Sequence, residues 1–357
     1  MIPLFAQYPG IADTLPYLSL GNFPVPVREM DGLCRETGRD GLYIKRDDLS
    51  GDLYGGNKVR KLEFVLAKAV SEGATRVITS GAAGSNHALA TAMYASRAGL
   101  KVDLMLVEQE STASVRENLL SDFSTGAVMH LDSSFESLLK SIRALVEYYT
   151  EKEGQKPFVI PPGGTTAEGV AGYVNAAFEL RDQIISGQIP CPQSIYVAFG
   201  TMGTAAGLFL GLKATGLPCT LKAVRVVPSY MADRSKCLEL IESANRLLHD
   251  ADPAFPVCQF KDSDLTIEEN YLGSGYGVVT DEARDGMEII SRSEGIHLDG
   301  VYSGKAFAAF LDEARNGKTG DILFWNTKSS RPLPESALKT DYHLLPPEFH
   351  HYFQEKE

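Results

Sequence analysis

The chain has 357 residues, enough for two α/β domains with buried cores, and 44% of them are hydrophobic, as in ordinary globular proteins. A formal net charge of −12 argues against nucleic-acid binding, which needs a basic face, and the longest apolar runs are strand length, far short of a membrane span. The five cysteines (Cys34, Cys191, Cys219, Cys237 and Cys258) show no zinc-ligand or redox-pair spacing, and the N-terminus lacks the charged and apolar regions of a signal peptide, so a reducing cytoplasm and no metal are expected.

Residues 1–40 are rich in proline and turn residues, and Pro16, Pro24 and Pro26 break any long helix. Residues 41–45 read as a strand, and Asp47-Asp48 either braces the following loop or makes a plain turn. Gly55-Gly56 frees the backbone for a sharp turn, after which Leu62, Leu66, Ala69 and Val70 share one helix face. The intervening Lys58 is thereby lifted to the mouth of a helix. Helix amides there favour a neutral amine, and a lysine of depressed pKa in a dry pocket attacks carbonyls. A solvated surface lysine is the ordinary alternative.

From Lys61 onward, helix and strand patterns alternate. Strands are expected over 76–79, 102–107, 127–131 and 157–160, with helices over 87–98, 114–123 and 135–150 between them. The series restarts with a helix over 168–185, a strand over 195–198, a helix over 205–214 and a strand over 221–227. Helices near 234–248, 280–294 and 304–316 and a last strand over 322–325 follow. Such alternation means α/β architecture: two open, twisted parallel sheets with helices on both faces. The larger domain is expected from residues 1–60 plus 170–357 and the smaller from 61–169. The tail from Arg331 reads as an irregular, partly mobile cap.

Two turns stand where strands meet helices. Gly200-Thr201-Met202-Gly203-Thr204 presents backbone N–H groups and hydroxyls to an anion, or is a tight βα turn whose glycines serve packing. Its spacing matches neither the dinucleotide fingerprint nor the Walker A loop, which lowers NAD and ATP. In Gly81-Ala82-Ala83-Gly84-Ser85-Asn86-His87, Ser85 and Asn86 lie at the ligand edge of such sheets, although Ser85 also makes a good N-cap.

These two turns resemble the 1-aminocyclopropane-1-carboxylate deaminase and D-cysteine desulfhydrase family, as do Tyr43-Ile44-Lys45-Arg46-Asp47-Asp48, the segment from Gly55 to Phe64 and Val301-Tyr302-Ser303-Gly304-Lys305. The family comprises pyridoxal 5'-phosphate (PLP) enzymes of the tryptophan-synthase-β fold, fold type II. The resemblance runs from about Leu15 to Trp325. It implies that Lys58 bonds the cofactor aldehyde and then moves the α-proton, with Lys61 a helper near the phosphate. Gly200, Thr201, Met202, Gly203 and Thr204 would hold the phosphate, and Asn86 the 3′-oxygen. Ser85 would meet the substrate carboxylate or move a proton. Tyr276 and Tyr302 would stand over the reactive face, with Tyr302 an acid or base, while Ser303 and Thr327 would lie near the pyridine nitrogen. Ser85, Asn86 and His87 are the implied substrate contacts, with Lys328 a further candidate from this chain's own sequence, and a homodimer is the implied assembly.

The chain departs from the family pattern at Gly84, where glutamine is usual, and at Leu89-Ala90, where arginine-glutamine is usual. These changes bear on substrate recognition. Ser303 and Thr327 replace the glutamate and leucine of the deaminases. A carboxylate on the pyridine nitrogen makes a strong electron sink, which ring opening needs; a hydroxyl suffices when the β-substituent leaves easily. The implied activity is therefore D-cysteine-like β-elimination. Ring-opening deamination, loss of sulfite from a cysteate-type substrate, β-replacement of the cysteine-synthase kind, and PLP binding without turnover are the alternatives. Lys328-Ser329-Ser330-Arg331 replaces a glycine pair, and is either an exposed basic turn or an anion pocket.

Overall fold

The computed structural model describes residues 1–317 and 320–354 and divides the chain into two units. The first comprises Met1–Leu15, Gly21–Lys61 and Thr166–Ser330; the second comprises Pro16–Leu20, Leu62–Thr165 and Arg331–Glu357. The N-terminal segment, whose prolines exclude a long helix, carries the short α1 (Pro3–Gln7), α2 (Pro9–Thr14), β1 (Val27–Glu29) and α3 (Asp31–Thr37), followed by the expected strand as β2 (Leu42–Lys45). The first two helices each begin on a proline, whose missing N–H has no helical partner there in any case. Helix α4 (Lys58–Ser71) begins at Lys58 itself.

The second unit continues with β3 (Arg76–Ala82), α5 (Asn86–Arg97), β4 (Lys101–Val107), α6 (Ala113–Ser124), β5 (Val128–Asp132), α7 (Phe135–Glu153) and β6 (Phe158–Ile160). Its four strands pair in parallel in the order β5-β4-β3-β6. The tail belongs to this unit and not, as expected, to the larger one. Phe349 and Tyr352 are buried, Gln109 N donates to Tyr352 Oη at 3.2 Å and Ser111 Oγ donates to Tyr352 O at 2.8 Å. These contacts order the tail as short helical turns in place of the expected irregular cap.

The first unit resumes with α8 (Ala167–Ile185), β7 (Ser194–Phe199), α9 (Gly203–Thr215), β8 (Thr220–Arg225), α10 (Arg234–Ala251), β9 (Thr266–Glu268), α11 (Asp281–Glu294), α12 (Ser303–Asn316) and β10 (Ile322–Trp325). The short α13 (Glu335–Leu338) lies in the tail. Its sheet runs β1-β2-β10-β7-β8-β9, with β1 antiparallel to β2 and the remaining pairs parallel. Strand β10 is buried along its whole length, as a central parallel strand covered on both faces should be. On one face Phe324 packs against Phe307 and Phe310 of α12, with Ile44 and Tyr196 in the same cluster. On the other, Trp325 meets Tyr173 of α8.

That second face buries charge. Asp47 accepts from Arg60 Nη2 at 2.8 Å, Trp325 Nε1 at 2.7 Å and Tyr173 Oη at 2.5 Å. Arg60 Nη1 also donates to Glu179 at 2.9 Å, and Lys45 Nζ donates to Glu179 and to Val25 O. All these side chains are at most 2% exposed, so each charge depends on its partners for what water would otherwise supply. Burial alone would push the Glu179 carboxyl up, but Arg60 and Lys45 bring it down to about 2.

The five cysteines are free thiols. Cys191 and Cys219, 28 residues apart and without pairing spacing, come to 3.6 Å between sulfurs just before β7 and β8.

Candidate active site

Strands β2, β10 and β7 are neighbours in the first unit's sheet, and segments following their carboxyl ends carry Lys58, Thr327 and Gly200–Thr204. The carboxyl edge is where open parallel sheets hold ligands. From β2 the chain passes through a 3-10 turn, Asp47–Leu49, to Gly55-Gly56. Gly56 has φ of 88°, and a Cβ there would meet Thr327 O at 2.7 Å. Only glycine permits both the conformation and the approach. Gly55 N donates to Ser329 Oγ at 2.9 Å and Asn57 N to Thr327 O at 3.0 Å, which clamps the Lys58 loop onto the segment after β10.

Lys58 Nζ donates to Asn57 Oδ1 at 2.8 Å, and Asn57 Nδ2 donates to Thr204 Oγ1 at 2.9 Å. One asparagine thus ties the lysine to the glycine-rich turn. Desolvation lowers the Lys58 ammonium to about 8, with Asp299 acting against the shift. Lys61, one turn further and buried, is held well below the ordinary lysine range by burial and then by Lys58. The depressed pKa read from the loop and helix mouth is present, with desolvation as its first cause.

The turn before α9 is strained. Met202 caps the helix at φ 67° and ψ −35°, a conformation costing a side-chain-bearing residue about 1–3 kcal/mol. It leaves the buried first turn of α9 with amides that have no carbonyl within the helix. Gly200 lies against Tyr302, whose ring would be 3.4 Å from a Cβ at that position.

Tyr302 caps α12, and its Oη is 2.6 Å from Tyr276 Oη. Burial raises both phenols, Tyr302 well above its ordinary value, so both hydroxyls keep their protons. Asp299, which sequence reasoning missed, organises this helix start. It accepts from Val301 N at 3.0 Å, Tyr302 N at 2.6 Å, Ser303 N at 3.1 Å and Ser303 Oγ at 2.5 Å. An acidic residue just ahead of a helix is a capping signature that sequence alone could have flagged. Ser303 Oγ has therefore committed its proton to a carboxylate and also accepts from Asp299 N, which leaves a lone pair.

Thr327 is buried at the end of β10, and Asn326 beside it holds a buried Nδ2 with no partner among the described residues. Lys328 is half-buried and makes no ion pair among the described residues. Arg331, expected beside it, belongs to the second unit.

In the second unit, Ser85 is the N-cap of α5, accepting from Ala88 N at 3.2 Å. Asn86 Oδ1 accepts from Asn118 Nδ2 at 3.2 Å. His87 is buried with Nε2 3.0 Å from Thr79 Oγ1, so its ring serves the interior of that unit and it leaves the list of substrate contacts. Leu89 and Ala90 are fully buried in α5. At Gly84 a Cβ would meet Val115 Cγ2 at 2.8 Å, and Gln109 Oε1 accepts from Gly84 N at 3.0 Å, so a larger residue would have to displace Val115.

Residues 18–328 match the pyridoxal-phosphate dependent enzyme family. The chain belongs to this family. It is 38% identical over 87% of its length to 91% of a Pyrococcus horikoshii protein provisionally named a 1-aminocyclopropane-1-carboxylate deaminase. It is 35% identical over 89% of its length to 95% of a D-cysteine desulfhydrase from Klebsiella pneumoniae. A solved ACC deaminase homologue superposes with a TM-score of 0.77 at 34% identity, covering 91% of this chain and 94% of that one. The fold is thus that of the PLP enzymes with parallel sheets flanked by helices.

The residues present fit PLP. An aldehyde needs a neutral amine, which Lys58 offers at about 8. A phosphate suits the first turn of a helix, which the start of α9 offers beside Gly203 N, itself bonded to Thr201 O. A pyridine nitrogen needs a small polar partner, for which Ser303 and Thr327 are candidates beside the orphaned Asn326 amide. Among the described residues there is no metal-ligand cluster, and no helix is long and apolar enough to cross a membrane.

The Lys58 environment leads to a pH prediction. In protein stripped of cofactor, the rate of capturing added PLP should rise through a midpoint near 8, because only the neutral amine attacks. Asp299→Asn removes the opposing charge and should move the midpoint lower. Stopped-flow absorbance across pH 6–11 reads both; a midpoint near the ordinary lysine value in wild type would contradict the desolvated site.

Proposed function

We propose that this PLP enzyme is a β-eliminating lyase acting on a small amino acid, with D-cysteine the first candidate and a 2-oxo acid, ammonia and sulfide as products. Bound PLP supplies an electron-accepting ring that stabilises negative charge at the substrate α-carbon. Lys58 holds the cofactor and moves the α-proton, helped by the burial that brings its amine down to about 8, within reach of the neutral form. Gly200, Thr201, Met202, Gly203 and Thr204 seat the phosphate at the start of α9, with Lys61 near it. Tyr276 and Tyr302 act as a protonated pair over the reactive face. Ser85 and Asn86 serve the substrate carboxylate and the cofactor oxygen. A homodimer in a reducing cytoplasm accompanies this reading.

The observation that carries elimination over ring opening is the hydroxyl at position 303. Ser303 presents a neutral hydroxyl, not a negative charge, to any neighbour, with its proton donated in a hydrogen bond to Asp299. Purified protein should release sulfide and pyruvate from D-cysteine and leave 1-aminocyclopropane-1-carboxylate nearly untouched. Efficient ring opening by the wild type would refute the assignment.

A second substrate reading rests on Lys328, whose ammonium makes no ion pair among the described residues. It suits a substrate with a further anionic group, such as a sulfonate. The same assay with cysteate, run on wild type and Lys328→Ala, separates the two: a KM that rises about tenfold or more in the variant supports the anion contact, and an unchanged one removes it.

A further inference from the structure

Lys305 follows the Ser303-Gly304 pair in α12 and is fully buried. A buried ammonium ordinarily faces a carboxylate. Lys305 instead donates to two backbone carbonyls, Leu272 O at 2.7 Å and Gly275 O at 3.3 Å, and makes no ion pair among the described residues. Its helix neighbours Ala306, Phe307 and Ala308 are buried and apolar, so an alkyl side chain would pack here without the desolvation that an ammonium suffers. The charge is retained for its donors.

Both carbonyls belong to the irregular segment between β9 and α11. That segment turns at Gly273 and Gly277, with φ of 71° and 83°, and has no ladder of its own to hold it. Near its start Tyr271 Oη donates to Asp312 of α12 at 2.8 Å. Near its middle lies Tyr276, directly after Gly275, with its hydroxyl 2.6 Å from that of Tyr302. Tyr302 and Lys305 lie within one turn of each other at the start of α12. One end of the phenol pair is therefore fixed by the helix cap, and the other hangs on a loop that the ammonium fastens to the same helix.

We propose that Lys305 is the positioning residue of Tyr276: by holding the carbonyls of Leu272 and Gly275, it sets the distance between the two phenol oxygens. The inference rests on the reading of Tyr276 as an active-site residue. Hydrogen exchange on the full-length protein as purified tests the fastening without reference to activity. In Lys305→Met, amides in 272–277 should exchange about ten- to a hundredfold faster than in wild type, the factor expected when hydrogen bonds to a charged donor are lost, while the strands keep their protection. Lys305→Gln, which keeps a neutral donor, should fall between, and serves if the methionine variant does not fold.

Turnover then tests the link to Tyr276. Tyr276→Phe and Lys305→Met should each lower kcat, and the double variant should be no slower than Tyr276→Phe alone. Unchanged exchange over 272–277 overturns the fastening, and multiplicative losses in the double variant overturn the link. A wild type that never develops the absorbance of lysine-bound PLP would overturn the functional reading instead, with the exchange result still deciding the fastening.

Discussion

Lys58→Ala is expected to remove the visible absorbance of lysine-bound PLP and to lower turnover by about 10²–10⁴-fold, the usual loss when a positioned proton-transfer group is deleted. The protein should remain folded. Lys58 is half-buried and donates to the adjacent Asn57 side chain, and an ammonium already destabilised by desolvation gives up little when it is removed. Lys61→Ala makes the informative companion. Lys61 also carries a depressed amine, but it is deeper in α4 and one turn past the glycine clamp. Borohydride reduction followed by peptide mapping should label Lys58 in wild type and in Lys61→Ala. A label on Lys61, or on neither lysine, would end the assignment.

The second large effect is on stability. Asp47→Ala should cost about 3–5 kcal/mol, because it strands the buried Arg60 guanidinium and leaves Tyr173 Oη and Trp325 Nε1 without their acceptor. Denaturant titration would measure it, and a loss under 1 kcal/mol would mean that water or a neighbour satisfies those groups. The Glu179 branch of the network adds a pH signature. Its folded carboxyl lies at about 2, below the ordinary 4.5, so its contribution is complete above pH 4.5 and fades as the pH falls toward 2. Glu179→Gln should flatten that acid limb while lowering stability at neutral pH.

The sheet strands and long helices were legible because they are apolar runs closed by glycine or proline. Residues 322–325, buried at every position, are read as easily from the sequence as from the fold. The elements that escaped are short: β1 and β9 have three residues each and α3 seven, too few for a period to declare itself. Lys58 and the Gly200–Thr204 turn were visible because their chemistry is local. Asp299, Asn57 and Lys305 were not assigned roles, since what they do depends on partners that only the fold supplies. Arg60 and Glu179, 119 residues apart, look in sequence like two surface charges. His87 shows the opposite error: a polar residue at a ligand edge whose bond to Thr79 turns it inward.

The strained start of α9 has a bearing on how experiments on this enzyme read. Its amides carry no proton that comes or goes between pH 5 and 10, and their aim is set by the Met202 backbone and not by a side-chain cation. The protein's side of that anchorage is therefore indifferent to acidity, whereas Lys58 titrates at about 8 and burial keeps the Tyr276 and Tyr302 phenols protonated throughout. A limb near pH 8 in an activity curve measured on this protein would then record the Lys58 amine, and not a change in the turn that seats the cofactor.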